Sequence, residues 1–113
     1  MATPRKTASA AEPVEAVEPR PDFEVVGDVL VCHDMDDLRL SLVVPMAKVE
    51  RWMEINAEAK SWQEQLAGWQ TEIMPADVLA AIRSAAKGDG ILEIKLSRQW
   101  SDGLDVRLGK ALY

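Results

Sequence analysis

The sequence has one cysteine, one histidine, one phenylalanine and one tyrosine in 113 residues. The lone Cys32 excludes an intramolecular disulfide. Cys32 and His33 form the only Cys/His pair, so a zinc site, which takes about four ligands, has no second such pair to draw on. Neighbours on a strand point to opposite faces, which argues against His33 activating Cys32 as a nucleophile. Cys32 is expected as a small packed hydrophobe and His33 as a side chain near solvent. No run approaches the roughly 18 apolar residues that span a bilayer, and no long apolar run at the N-terminus suggests a signal peptide. No cluster of Lys and Arg is present, so phosphate-led binding of nucleic acid is not expected. There is no Gly-rich phosphate loop, nucleophile elbow or paired-His helix. An enzyme and a cofactor are not expected, no membrane role is implied, and the default compartment is a reducing cytoplasm.

What is present points to one soluble domain. Apolar residues make up 48% and charged residues 28%, ordinary values for a globular protein. Four Trp carry most of the aromatic area. The net charge is −6. Residues 1–22 hold three basic and four acidic side chains and residues 23–113 hold ten and fifteen, so the charge sits in the foldable part and favours solubility.

"MATPRKTASAAEPVEAVEPRPD" contains four of the six prolines and only Val14 and Val17 as branched apolar residues. Burial there cannot offset the entropy of ordering, and residues 1–22 are expected to be a disordered arm. From residue 23 the pattern changes. Leu38, Leu40, Leu42 and Val44 alternate with Arg39, Ser41 and Val43, the period of a half-buried strand. "VLVCH" is β-branched, and "DMDD" has turn chemistry. Together they predict an antiparallel hairpin of 29–33 with 38–44, extended by 23–26 across Gly27 if the first segment joins. Asp34, Asp36 and Asp37 resemble the start of a calcium loop. Counted from Asp34, however, the glycine position holds Arg39 and the closing glutamate position holds Pro45, so a solvated turn is expected.

Helical patterns come next. Pro45 suits a first turn, and Met46, Val49, Trp52 and Met53 fall at helical spacing. Ser61 with Glu64 forms a capping box. Trp62, Leu66, Trp69 and Ile73 then fall at i, i+4, i+7 and i+11, a stripe interrupted by Gly68 at about 1 kcal/mol relative to Ala. Core packing and a surface for a partner are both open readings of that stripe. Pro75 separates it from a helix carrying Val78, Leu79, Ile82 and Ala86, which Lys87 and Gly88 stop. Residues 91–100 fit a strand through Leu92, Ile94 and Leu96, or a helix through Leu92, Leu96 and Trp100. Asp89 and Gly103, as caps, favour the helix. Beyond Gly103 the chain has little reason to pack, and about 105–113 is expected as a flexible end. The fold class is α+β, a short β-hairpin on three to four short helices, in one domain over 23–113.

The order of features resembles a known family. "LRLSLVVPMAKVERWMEI", then "EIMPADVLAAI", then "LEIKLSRQWSDGLDVRLGKA" resemble tail assembly chaperones of long-tailed bacteriophages, particularly those of actinobacterial hosts. The matching positions are Pro75, Asp77 and Leu79, then Trp100, Gly103, Leu108 and Gly109, and the resemblance covers about residues 38–113. It implies a non-enzymatic protein that binds the tape measure protein and assists assembly of tail tube protein around it. It also implies action in the host cytoplasm and absence from the mature virion. Partners would then be the tape measure protein, tail tube protein and a longer form of the chain itself, and a homo-oligomer is compatible. Trp62, Leu66, Trp69 and Ile73 are the candidate groove for a partner helix, with Met53 and Met74 as adaptable neighbours. The alternative from another class is a small structural or adaptor protein of a virion or cytoplasmic complex.

The family often makes its longer product by a programmed frameshift near the end of the short reading frame. Leu108-Gly109-Lys110 is compatible with a slippery heptamer of the form G-GGA-AAN. The expectation is that the coding DNA carries such a heptamer here, with an overlapping downstream frame. Codons at these positions that cannot re-pair after a slip would remove the idea.

Overall fold

The computed structural model describes residues 22–112. The arm expected over 1–22 therefore lies, apart from Asp22, outside the described residues, as does Tyr113. The fold is α+β. Three strands, β1 (Phe23–Val26), β2 (Val29–Cys32) and β3 (Leu38–Ser41), precede four helices, α1 (Met46–Glu58), α2 (Trp62–Gly68), α3 (Ala76–Ala86) and α4 (Gly90–Leu112).

The sheet is a three-stranded antiparallel meander in the order β1-β2-β3, one strand more than a simple hairpin. Val26 pairs with Val29, leaving a two-residue loop. Its first residue, Gly27, takes φ 64, a conformation open to glycine at little steric cost. Between β2 and β3 the chain makes one 3₁₀ turn, His33–Met35, followed by Asp36 at φ 54 and Asp37 at φ 58. Short polar side chains such as Asp tolerate this left-handed geometry. The expected strand over 38–44 stops at Ser41. Leu42 still bonds through its N–H to Asp28 O (2.8 Å), but Val43 N–H turns to the Ser41 hydroxyl (3.2 Å) and Pro45 N-caps α1.

The alternation in β2 and β3 selects the buried face. Leu30, Cys32, Leu40 and Leu42 point into a core completed by Trp52, Ile55, Trp69, Ile73, Val78, Ile82, Leu96 and Trp100. The helix starts obey local rules. Ser61 Oγ accepts the Glu64 N–H (3.2 Å), and Glu64 reaches back to Lys60 N–H (2.9 Å), one residue earlier than a standard capping box. Asp89 Oδ1 accepts from Ile91 and Leu92 N–H at 3.0 and 3.3 Å and opens α4. Lys87 at φ 53 and Gly88 at φ 84 stop α3 as expected.

The largest departure lies in α4. Residues 91–100 are helical, but Gly103 is no stop and the helix runs on to Leu112. A Cβ at Gly103 would lie 3.0 Å from Leu30 Cδ1 and 3.3 Å from Leu42 Cδ2. The glycine is a contact point where the helix backbone meets the sheet. Past it, Leu104 is buried and Leu108 packs against the core. Arg107 Nη1 donates to Leu42 O (2.9 Å) and Lys110 Nζ to Val25 O (3.2 Å). The stretch expected as a flexible end is thus the last turns of a docked helix.

Gly103 and Gly109, the two glycines inside α4, should respond oppositely to substitution. Gly103→Val should destabilise by about 1–3 kcal/mol through overpacking. Gly109, with nothing within 4 Å of its notional Cβ, should gain up to about 1 kcal/mol as Ala. Urea unfolding of both variants reads this; equal effects at the two positions would contradict the close approach.

Candidate functional site

The stripe Trp62, Leu66, Trp69, Ile73 does not form a groove. The chain leaves α-geometry at Trp69 and makes one π turn, Trp69–Ile73, closed by Met74 N–H on Trp69 O (2.8 Å). The wider turn rotates the next residues away from the register of a regular helix. Trp69 and Ile73 are buried, and Leu66 is half-buried against the same core. The Trp69 Nε1–H donates to Asn56 Oδ1 (2.9 Å), an oxygen that Gln65 also holds (3.1 Å). Gly68 faces Ile55 so closely that a Cβ would lie 2.9 Å from its Cδ1. Trp69 and Ile73 are therefore core, unavailable to a partner in the folded chain. Of the six candidate partner residues, Met74 is also buried, and Trp62 and Met53 are about half exposed, at 48% and 51%. Three of the four indoles are inside. Trp52 donates to Ser101 Oγ (2.9 Å) and Trp100 to Ser41 O (2.8 Å), so each large ring is buried with its polar edge satisfied.

An apolar cleft does exist, elsewhere. Val44, Val49 and Trp52 form one wall; Leu104, Leu108 and Ala111 form the other, with Arg107 beside them. Its volume is about 170 Å³. The Trp52 N–H is spent on Ser101, and Arg107 Nη1 donates to Leu42 O; the other lining side chains are carbon. Met46 and Met53, which share with Val49 one face of α1 by helical spacing, are 71% and 51% exposed, and Leu112 at the end of α4 is 65% exposed. The arrangement can receive an apolar side chain, and it presents no nucleophile or general base.

Two other hollows are more polar. One, of about 400 Å³, lies between α1 and α2 over Ile55 and Gly68, with Arg51, Glu58, Glu64 and Glu72 around it. Arg51 Nε holds Glu72 Oε1 at 2.8 Å, and this hydrogen bond lowers the Glu72 carboxyl below its usual range. Both side chains are well exposed, so the pair adds little to stability. The other, of about 310 Å³, is bordered by the Trp52 and Trp69 rings with Arg98, Asp102 and Asp105. Burial there raises the Asp102 carboxyl, the Arg98 charge opposing it.

The remaining candidates sit at scattered places. Cys32 is fully buried and its thiol is pushed up to about 11, by burial first and then by Asp34, so it stays protonated at neutral pH. His33 lies less open than expected, its side chain 13% exposed between Glu24 and Asp37. Asp34 pairs with Lys95 of α4. Among the described residues no group of three or more His, Cys, Asp or Glu could hold a metal ion, and no helix is long and apolar enough to cross a membrane. Of Leu108, Gly109 and Lys110, the first lines the cleft, the second has open space, and the third bonds to β1.

The cleft residues escaped sequence reasoning although a signal existed. Leu96, Trp100, Leu104, Leu108 and Ala111 continue one helical stripe at i, i+4, i+8, i+12 and i+15, and Gly103 hid its continuity.

Trp69→Ala should cost roughly 3–5 kcal/mol of unfolding free energy, and Trp62→Ala under about 1 kcal/mol. Urea unfolding followed by circular dichroism distinguishes them, and a stable Trp69→Ala variant would contradict the core assignment. Comparison with known proteins found no matching family model, no matching curated protein and no matching solved structure.

Proposed function

We propose that this chain is a tail assembly chaperone of a long-tailed bacteriophage, and that the cleft between α1 and α4 takes an apolar side chain from an amphipathic helix of the tape measure protein. The sequence resemblance over about residues 38–113 supports the class of function. The single observation that supports the site is a cleft lined mainly by carbon, on a chain of net charge −6; Met46 and Met53, on the α1 face of its lining Val49 by helical spacing, are exposed.

The physical demands of such a role are specific. A holder of amphipathic helices needs apolar surface that is exposed but limited, on a body that stays soluble. An apolar cavity of about 150 Å³ admits a benzene-sized group, so this cleft takes about one large side chain. Burying each such anchor contributes roughly 1.5–3 kcal/mol. A few anchors, after the cost of association, give affinities nearer micromolar than picomolar, as suits a protein that must later let go. Unbranched methionines beside the cleft can repack on different helices.

The proposal places the chain in the host cytoplasm with the tape measure protein, tail tube protein and a longer frameshifted form as partners. A product diverging after Lys110 would keep Leu104 and Leu108 of the cleft wall and replace Ala111. A permanent virion component would instead be found in purified particles.

Ala111 is exposed and lines the cleft, so Ala111→Glu should leave the fold and Tm unchanged. Co-expressed with tape measure protein, this variant should lose most of the soluble complex that the unaltered chain forms, whereas Trp62→Ala should keep it. An intact complex with Ala111→Glu would remove the cleft from the account. Failure of the unaltered chain to hold tape measure protein would remove the chaperone reading.

A further inference from the structure

The one histidine is gripped from both sides. His33 Nδ1 lies 2.7 Å from Asp37 Oδ1, and Nε2 lies 2.6 Å from Glu24 Oε1. Glu24 belongs to β1 and Asp37 to the turn before β3, so one imidazole spans the start of the sheet and its second connection. A neutral imidazole carries one N–H and one lone pair. It can donate to one carboxylate, but the other would then face a lone pair at hydrogen-bond distance. Both contacts are favourable together only when both ring nitrogens carry protons. The ring is 13% exposed, while Glu24 and Asp37 are 50% and 61% exposed. The cation is thus mostly covered and the anions remain hydrated.

We infer that His33 is a proton-operated clamp, which ties β1 to the β2–β3 turn when protonated and lets the turn loosen when the proton leaves. Its protein surroundings favour the cation. Among the described residues, charged groups near it include Asp22 before β1, Asp34 and Asp36 in the turn, Lys95 on α4 and Arg39 on β3. Lys95 and Asp34 pair with each other. Arg39 stands opposite Val31 and opposes the proton, while Glu24, Asp37 and Asp22 attract it. The geometry of the turn adds a reason for regulation at this point. Asp36 and Asp37 both hold left-handed backbone angles, and the Asp37 carboxylate lies 2.7 Å from the His33 ring.

The sign of the effect is set by linkage. The folded chain binds the proton more tightly than the unfolded chain. The stabilisation is fully present below the unfolded-state pKa and is lost as pH rises through the folded-state value. Raising pH should therefore loosen the β2–β3 turn first, and leave the cleft between α1 and α4 unaffected, since none of its lining residues touches this cluster.

Ring-nitrogen NMR on the full chain tests the clamp. The expected result is a doubly protonated His33 at neutral pH, with a titration midpoint above that of a peptide spanning residues 31–35 in the same buffer. Glu24→Gln and Asp37→Asn should each lower that midpoint; Asn tolerates the left-handed backbone, so the turn survives. The difference in Tm between the unaltered chain and His33→Gln should be largest near pH 6 and close towards pH 9. A single neutral tautomer at neutral pH, a midpoint at or below the peptide's, or a difference in Tm that does not change with pH would each overturn the inference.

Discussion

At Gly103 the backbone of α4 lies so close to the sheet that even a methyl group would crowd Leu30 Cδ1 at 3.0 Å. That approach governs much else. It brings the buried Trp100 within reach of β3, where the indole donates to Ser41 O. It lets Arg107 and Lys110, one and two turns further on, reach carbonyls at Leu42 and Val25. Val25 and Ser41 belong to the two outer strands of the sheet, so donors from a single helix engage both edges, which are otherwise sites for unwanted pairing. Glycine in a helix costs about 1 kcal/mol relative to alanine; here the cost is offset by contacts that a side chain at 103 would prevent.

The same docking creates the cleft. Because α4 continues straight past Gly103, Leu104, Leu108 and Ala111 are carried across to Val44, Val49 and Trp52. A helix that stopped at 103 would leave Trp52 without its cover and the proposed function without a site. The Trp52 N–H is satisfied by Ser101, and one Arg107 nitrogen is held by Leu42 O. A ligand would therefore meet shape and carbon more than hydrogen-bonding groups, which suits recognition of apolar side chains in varied sequences.

Much of the fold was legible where local chemistry decides it. The alternation Leu38, Leu40, Leu42 gave the buried face of β3, and Pro45, Ser61, Pro75, Asp89 and Lys87-Gly88 marked helix ends where the structure has them. One expectation failed because a glycine was read without its tertiary neighbour. Gly103 carries the local signature of a stop, but Leu30 and Leu42 on a distant part of the chain make it a contact. Of the two readings open for the stripe from Trp62 to Ile73, core packing holds for Trp69 and Ile73, with Leu66 against the same core, and only Trp62 at its start stays half exposed. Among the candidate site residues, the sequence could locate Met53 on a helix and Leu108 near the end of the chain. It could not show that Leu108 lines a cleft with Val44 and Val49, because that contact joins segments about sixty residues apart.

Hydrogen–deuterium exchange of the chain, alone and with tape measure protein, tests the central claim most directly. The account predicts added protection in α1 around residues 46–52 and in α4 around residues 104–111, with little change in α3 or the β2–β3 turn. Protection confined to α2 and its exposed Trp62, or no protection anywhere on adding the partner, would contradict it.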